Sequence, residues 1–329
     1  MLDIQMPRVA TAIGIFLIAV AAGTPALAKE PSYPTRPVRM IVPFAPGGGS
    51  DIVGRILAQT LNEQWQQAVV IDNRPGGGST IGAAITAKSP PDGYTVMVSS
   101  SAIVFSRVLY SGLTFELQRD FKPISLLARQ PSMLVVAQGV KATNILQLID
   151  LAKAQPGKLT FGSAGVGSAT HLGGELLRST AKIDLLHVPY KSAGQAMSAV
   201  LSGEVQVLIT NMATVVPHVK SGRVRTLGIS SKSRSPLAPD IPTVDEGGLK
   251  GFEYDTWYAM LVPAGVPSGL AEQIHRETKR ALEHPSTQKQ FTAAGITSVA
   301  STPEELKAFL ASEIKKWDPI LRAAKGAGD

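Results

Sequence analysis

Three segments of this chain share one pattern: a short apolar run, a glycine-rich turn and the start of an amphipathic helix. The turns lie at residues 47–49, 76–78 and 162–167. Glycine adopts backbone angles closed to other residues, and a helix that starts after such a turn presents free backbone N–H groups. Repeated strand–turn–helix units predict an α/β protein with a largely parallel sheet, whose ligands bind at the carboxyl ends of the strands.

The first turn is the clearest candidate for a binding site. It follows strand-forming residues 40–42, and Ser50 or Asp51 is predicted to cap the helix that follows. Free N–H groups at a helix N-terminus bind anions, so we interpret this turn as a carboxylate site. It is not a P-loop, because no Lys-Ser/Thr pair follows the glycines, and Ile52 stands where a dinucleotide fingerprint needs glycine. A plain tight turn is the alternative.

The same patterns place the other elements along the chain. Predicted strands cover residues 38–42, 68–72, 95–99, 133–137, 159–162, 185–188, 205–209, 226–230 and 258–262. Predicted helices cover residues 51–64, 81–88, 145–154, 170–179, 194–201, 214–221 and 269–283, with a last helix from Pro303. Thr302 and Glu305 form a capping-box pattern before that last helix.

The first 28 residues are predicted to be a secretory signal peptide. Arg8 precedes an uncharged apolar stretch at residues 10–23, and Ala26-Leu27-Ala28 matches a cleavage site. The stretch is short for a bilayer span, which takes about 20 residues, so an uncleaved anchor is the weaker alternative. We therefore expect a soluble mature protein in the periplasm.

Composition excludes several classes of function. The chain has no cysteine, which rules out disulfides, thiol catalysis and cysteine-ligated metals. The net charge of +7 favours anionic ligands, but the basic residues are scattered, so nucleic-acid binding is not expected. No histidine–carboxylate spacing suggests a metal site, and no cofactor motif is present. We expect no metal and no cofactor.

The length suggests two domains. A segment with its own strand–turn–helix units starts near residues 124–137 and ends near residues 251–263. Two crossings between two α/β lobes make a hinge with a cleft. We therefore predict lobe 1 at residues 29–130 and 255–329, and lobe 2 at residues 131–254. The aromatic run at 252–258 is interpreted as packing at the hinge.

The chain also resembles a known family, the Bug (TctC-like) solute-binding receptors of tripartite tricarboxylate transporters. The resemblance runs in order from Tyr33 to the C-terminus. The matching segments are Tyr33-Pro34, Arg36-Pro37-Val38, residues 43–51, Asn73-Arg74-Pro75-Gly76, Asp92-Gly93-Tyr94, residues 161–171, Val188-Pro189-Tyr190-Lys191, Pro217-His218-Val219 and Asp240-Ile241-Pro242-Thr243.

This resemblance implies a two-lobed type II periplasmic-binding-protein fold with the ligand cleft between the lobes and two hinge crossings. It implies a small carboxylate as ligand, held largely by loop backbone and bridging waters and delivered to membrane permease subunits. We expect the receptor to be a monomer. The ligand-binding residues that it implies are Phe44, Ala45, Gly47, Gly48, Gly49, Asp51, Ser163, Gly165, Gly167, Ser168, Thr170, His171, Tyr190, Lys191 and Asn211. The chain departs from the family pattern at Gln195 and Thr210, where proline and aspartate are common.

Several of these residues have a structural alternative. His171 would bond a carboxylate or be a satisfied polar residue in the first turn of its helix. Lys191 would pair with the ligand or lie on the rim. Asp51 would repel an anion directly, so capping its helix or orienting loop amides is the better interpretation. Phe44 would wall the pocket or belong to the core.

Catalysis is not expected. Residues 162–165 do not form the nucleophile elbow of hydrolases, and Ser163 or Ser168 with His171 in one loop lacks an orienting acid. A periplasmic sensor of a carboxylate and, with less support, a periplasmic hydrolase are the alternatives to a transport receptor. The sequence does not indicate which carboxylate is bound.

Overall fold

The computed structural model of the protein describes residues 1–3, 33–235 and 237–326. The predicted signal peptide lies outside the described residues except for its first three. Residues Pro34–Asp329 form one compact unit. In the part of the chain that is described, no helix is both long and apolar enough to cross a bilayer.

Strands and helices alternate along most of the described chain. The strands are β1 (Val38–Val42), β2 (Val69–Asn73), β3 (Thr95–Ser100), β4 (Phe121–Ala137), β5 (Thr160–Ser163), β6 (Leu186–Pro189), β7 (Val207–Asn211), β8 (Val224–Ile229), β9 (Asp255–Pro263) and β10 (Thr297–Ser298). The helices are α1 (Gly49–Trp65), α2 (Thr80–Ala87), α3 (Ala102–Leu109), α4 (Leu117–Asp120), α5 (Ile145–Ala154), α6 (Ala169–Ala181), α7 (Ala193–Ser202), α8 (Met212–Lys220), α9 (Ser268–Glu283), α10 (Pro285–Ala293) and α11 (Pro303–Gly326), with one 3-10 turn at Gly77–Ser79.

Most predicted elements are confirmed within two residues at each end. Helix α3 was not predicted, because it has only eight residues and Arg107 is its single exposed one, which is too little to show a helical period. The strand predicted at 133–137 is much longer in the structure, where β4 already begins at Phe121. Its full length was not predicted because Pro123 and Pro131 lie within it, and proline usually interrupts a strand. The predicted cap of α11 is confirmed: Thr302 and Glu305 each accept the other's backbone N–H.

The sheet has the strand order β2-β1-β3-β9-β4-β7-β5-β6, and β8 and β10 both pair with β4. Among the strands of the described residues, β2-β1-β3 and β7-β5-β6 pair in parallel. The prediction of a largely parallel sheet is therefore wrong for its centre, where β4 and β9 run antiparallel to their neighbours. The reason is that these two strands carry the chain between two separate parallel groups.

Strand β4 belongs to both groups. Its residues up to Pro131 pair with β9, and its residues from Ser132 onward pair with β7 and β8. We call the part with β1, β2, β3, β9, β10 and the start of β4 half-sheet A, and the part with β5 to β8 and the end of β4 half-sheet B. Buried apolar side chains cover both halves in one continuous core.

The chain passes between the half-sheets next to one buried hydroxyl group. The Ser230 hydroxyl accepts the backbone N–H of Ser132 at 2.9 Å and donates to the carbonyl of Tyr254. Backbone bonds of 2.8 Å join the same residues, from Ser230 N to Ser132 O and from Tyr254 N to Ser230 O. Ser230 is fully buried, so these groups have no access to water. One serine therefore ties β4 to both ends of the segment 230–254.

Replacing this hydroxyl is expected to destabilise the whole fold. Ser230→Ala leaves the Ser132 N–H and the Tyr254 carbonyl without a partner, which lowers the free energy of unfolding by about 2–4 kcal/mol. Urea denaturation measures this change. Ser198→Ala is the matched control, because that exposed hydroxyl bonds only the Gly194 carbonyl within α7, and its loss should change stability by less than about 0.5 kcal/mol. If Ser230→Ala and Ser198→Ala changed the free energy of unfolding equally, the Ser230 hydroxyl would not be the link between β4 and the segment 230–254.

Candidate functional site

The turn between β1 and α1 is held from behind by the Asp51 carboxylate. One oxygen, Oδ2, accepts the backbone N–H of Gly47 at 2.9 Å and the Arg55 Nε–H at 2.8 Å. The other, Oδ1, accepts from Asn73 Nδ2 at 3.0 Å. Burial opposes ionisation of this carboxyl group, but the hydrogen bonds from Arg55, Gly47 and Asn73 outweigh it and lower its pKa. Asp51 therefore orients the turn.

The capping prediction for this helix is wrong. The N-cap of α1 is Gly48, and neither Ser50 nor Asp51 caps the helix, because α1 begins two residues earlier than expected at Gly49. Asp51 is instead the third helical residue, and its side chain reaches back to Gly47. Ala45 and Gly47 are exposed, whereas Phe44 is half-buried against the core.

Gly49 lies directly against the Tyr258 ring. A Cβ atom at Gly49 would overlap the Tyr258 hydroxyl and lie 2.8 Å from its Cζ. The ring is fixed, because Tyr258 is buried and its hydroxyl donates to Gln130 Oε1 at 2.7 Å. The first turn of α1 thus packs closely on Tyr258 of β9, and any side chain at position 49 would push the turn away.

Gly49→Ala is expected to displace this turn. Overpacking against the buried ring lowers the free energy of unfolding by about 1–3 kcal/mol, and a thermal melt measures the loss. Gly269→Ala is the control, since Gly269 also lies at the start of a helix and has no atom within 4 Å of the added Cβ. That change should be neutral or stabilising. A Gly49→Ala protein as stable as Gly269→Ala would show that Tyr258 moves aside freely.

The second turn, residues 76–79, has an unusual backbone. Gly76, Gly77 and Gly78 have φ angles of 129°, 54° and 56°, and Ser79 has φ of 87°. Four successive residues with positive φ require glycine at most positions, and the backbone of Ser79 is strained. Ser79 is fully buried, and within the described residues its hydroxyl has no hydrogen-bond partner. Asn73 links this turn to the first one by donating to the Phe44 carbonyl at 2.9 Å.

The third turn leads into α6 and is the most densely hydrogen-bonded of the three. Ser168 caps the helix by accepting the His171 N–H at 3.2 Å, and its hydroxyl donates to the Gly165 carbonyl at 2.6 Å. The Thr170 hydroxyl accepts the Ala164 N–H at 2.7 Å. These hydroxyls fix the turn from within, which leaves its shape little freedom to change.

His171 has the same place in this turn as Asp51 has in the first. Each is the third residue of its helix, and each accepts the backbone N–H of the glycine four positions earlier; for His171 the bond runs from Gly167 N to Nδ1 at 3.2 Å. His171 is only 6% exposed. This geometry supports its structural interpretation, since Nδ1 is occupied and the ring is enclosed.

His171 stacks within a cluster that the sequence did not indicate. Its ring centroid is 4.3 Å from that of His187, which in turn lies 4.8 Å from the Phe161 ring. The His187 Nε2 shares a hydrogen bond of 2.6 Å with the Ser163 hydroxyl. Burial lowers the pKa of His171 to about 3 and that of His187 to about 4, so both rings are neutral near pH 7.

The lowered pKa values of His171 and His187 predict a loss of stability in mild acid. In the unfolded chain they bind protons below about pH 6.5, whereas in the folded protein they do so only near pH 3–4. The unfolded state therefore gains protons first, and stability falls as the pH drops from about 6.5 to 4. His187→Gln should reduce the loss measured between pH 7 and pH 5 by about 1–2 kcal/mol.

Urea denaturation of both proteins at the two pH values tests this. The comparison with the variant is needed because burial raises the pKa of Asp255 to about 6, which acts in the opposite direction. If His187→Gln keeps the pH dependence of the wild type, the cluster is not the cause.

The remaining predicted residues lie at the ends of β6 and β7. Tyr190 donates its hydroxyl to Glu204 Oε1 at 2.9 Å, and its backbone N–H bonds the Ser163 carbonyl at 2.9 Å. Lys191 is exposed. Asn211 caps α8 by accepting the Thr214 N–H at 2.9 Å. The Tyr190 and Asn211 side chains thus have partners in the protein, and Lys191 lies on the surface.

The predicted residues fall into two groups, both at the carboxyl ends of parallel strands. Those at 44–51 follow β1 in half-sheet A. Those at 163–171, 190–191 and 211 lie at the ends of β5, β6 and β7 in half-sheet B. Tyr254 connects the third turn to the crossing by donating to the Ala169 carbonyl at 2.6 Å. The ligand role of each residue stays a prediction.

Two cavities lie elsewhere in the molecule. One of about 480 Å³ lies between α4, α9 and the start of α11, and one of about 500 Å³ lies between α5 and the loops at 139–141 and 203–206. Neither is lined by any of the predicted ligand residues, so their volume says nothing about the site at the three turns.

Comparison with known proteins decides the family. Residues 53–325 match the model of the "Tripartite tricarboxylate transporter family receptor" family. The chain belongs to this receptor family. It is 37% identical over 322 residues to protein BugT of Bordetella pertussis, covering 97% of this chain and 98% of that protein. It is 36% identical over 309 residues to the UPF0065 protein in the tcbD-tcbE intergenic region of Pseudomonas sp. (strain P51), covering 94% of this chain and 92% of that protein.

Solved structures confirm the two-lobed fold. The periplasmic binding protein BugD matches with a TM-score of 0.78 and 31% identity, over 89% of this chain and 99% of that one. Rpa4515 of R. palustris with adipate matches with a TM-score of 0.81 and 29% identity, over 89% and 98%. MatC of Rhodopseudomonas palustris with bound malate matches with a TM-score of 0.79 and 27% identity, over 88% and 100%. The predicted lobe boundaries stay a prediction.

Proposed function

We propose that this receptor captures a small carboxylate in the periplasm, after removal of its signal peptide, and delivers it as a monomer to the permease subunits of a tripartite tricarboxylate transporter. The observation that carries the proposal is the matched pair of turns before α1 and α6. Each opens a helix, and each is fixed from behind by the third helical residue, Asp51 or His171. The similar proteins solved with adipate and malate support a carboxylate ligand.

Neutral donors suit this task. Near the turns, the Arg55 guanidinium is paired with Asp51 at 2.8 Å, His171 is neutral, and Lys191 is exposed. A carboxylate at the turns would therefore be bound by backbone N–H groups and hydroxyls. Such donors stabilise an anion without the desolvation cost of a buried cation, which keeps binding reversible.

The geometry does not favour a hydrolase. Ser163 does bond a histidine, His187, but its oxygen also accepts the Gly165 N–H at 3.0 Å and its side chain is fully buried. The nearby acid, Glu175, lies beside His171 and bonds Arg178 at 3.0 Å. A serine nucleophile needs an exposed oxygen and a base held by an acid, and this cluster provides neither.

A thermal-shift screen of residues 29–329 against mono-, di- and tricarboxylates and amino acids tests the function. A ligand at 100 times its dissociation constant adds about 2.7 kcal/mol of stability. We expect a clear shift with one acid, which should be recovered chemically unchanged. No shift with any acid, or a shift accompanied by turnover, would contradict the proposal.

Ser168→Ala tests the third turn. Loss of the cap should lower stability by about 1 kcal/mol, and the loosened turn should weaken binding of the acid found in the screen by about 1–3 kcal/mol. Asn144→Ala is the matched control: Asn144 caps α5 by accepting the Gln147 N–H at 2.9 Å, and its loss should lower stability alone. Calorimetric titration of both variants separates the two effects. Unchanged affinity in Ser168→Ala would remove the third turn from the site.

A further inference from the structure

Tyr110, which the sequence did not mark, lies against the second glycine turn. It follows the last residue of α3. A Cβ atom at Gly78 would lie 3.0 Å from the Tyr110 Cε2 and 3.2 Å from its hydroxyl. Gly78 has a φ of 56°, so glycine is needed there both for the backbone angle and for the space that the ring takes.

Tyr110 and its neighbour Leu109 also lie against the third turn. A Cβ atom at Gly167 would lie 3.2 Å from Leu109 Cδ1 and 3.8 Å from both Cε2 and the hydroxyl of Tyr110. Gly78 belongs to the turn after β2 in half-sheet A, and Gly167 to the turn after β5 in half-sheet B. The Tyr110 ring therefore lies between turns of opposite halves of the molecule.

The ring is well placed to act as a wall. It cannot move toward Gly78 or Gly167 without meeting backbone, because neither glycine has a side chain that could give way. Tyr110 is half-buried, and among the described residues its hydroxyl makes no hydrogen bond. A phenol is a neutral donor, like the other donors at these turns, and it can serve a second polar group of a bound acid.

We propose that Tyr110 closes one end of the ligand cleft and limits the length of the acid that fits, with its hydroxyl donating to the distal group of a short dicarboxylate. This rests on the proposed carboxylate-receptor function. Tyr110 lies against both the second turn at Gly78 and the third turn at Gly167, so an acid that reached from the turn before α6 toward the second turn would meet the phenol ring. Tyr110 is therefore a specificity-determining residue.

A length series tests the proposal. Dissociation constants are measured by calorimetry for the straight-chain diacids from malonate to sebacate, with the wild type, Tyr110→Ala, Tyr110→Trp and Tyr110→Phe. Tyr110→Ala should move the preferred length up by about two methylene groups or more, and Tyr110→Trp should move it down, because each methylene in a fitted pocket changes affinity by about tenfold or more. Tyr110→Phe should keep the preferred length and weaken binding about fivefold.

The outcomes separate this inference from the function on which it rests. A wild type that binds a diacid, with the same preferred length in Tyr110→Ala and Tyr110→Trp, overturns the role of Tyr110 and leaves the receptor function intact. A wild type that binds no acid of the series or of the wider screen overturns both. The two size changes act in opposite directions, so the test holds even if one variant does not fold.

A thiol provides an independent measurement. The chain contains no cysteine, so Tyr110→Cys introduces a single thiol. Its rate of reaction with a maleimide should fall about tenfold or more when the protein is saturated with the diacid that Tyr110→Cys itself binds best, because the closed cleft excludes the reagent. Leu146→Cys is the control: Leu146 lies on α5 and is 49% exposed, so a thiol there should react at the same rate with and without the diacid. Equal rates for Tyr110→Cys with and without the diacid would overturn the proposal.

Discussion

The hydrogen bonds at Ser230 are the constraint on which the relation between the two half-sheets depends. Strand β4 runs without a break from one half to the other, and the segment 230–254 begins and ends beside it. Any rotation between the halves must be absorbed at the few residues that leave one half and enter the other. Ser132, Ser230 and Tyr254 are those residues, and buried hydrogen bonds join them.

Helix α11 extends this constraint to the turns. Its Trp317 ring packs edge-on against Phe105 of α3 at 4.9 Å and against Tyr254 at 5.8 Å. Its Glu313 accepts hydrogen bonds from both Trp257 and Trp317, which fixes the helix to β9. The C-terminal helix thus supports α3 from behind, and α3 in turn carries the residues that face the second and third turns.

The turns before α1 and α6 are stabilised by the same hydrogen-bond arrangement. In each, the third residue of the helix accepts the N–H of a glycine four positions back, and a glycine conformation lets the chain reverse there. The side chains differ in charge, since Asp51 is ionised and His171 is neutral. Both arrangements order the turn before a ligand arrives, which reduces the entropy lost on binding. Electrostatic repulsion between Asp51 and a bound carboxylate is limited, because Asp51 is paired with Arg55.

Local patterns in the sequence determined the strand–turn–helix units, the cap of α11 by Thr302 and Glu305, and the positions of the turns. They also determined the family, because its motifs lie in short contiguous segments. Hydrophobic period, turn chemistry and capping act over a few residues, so they can be recognised from sequence alone.

The tertiary structure decided the rest. The pairing of Ser163 with His187 joins residues 24 positions apart, and the bond from Tyr254 to Ala169 joins residues 85 positions apart. The role of Asp51 as an internal acceptor depended on where α1 begins, and the place of Tyr110 depended on a short, mostly buried helix, α3. These features arise from the packing of distant segments, and no local pattern in the sequence specifies which distant segments meet.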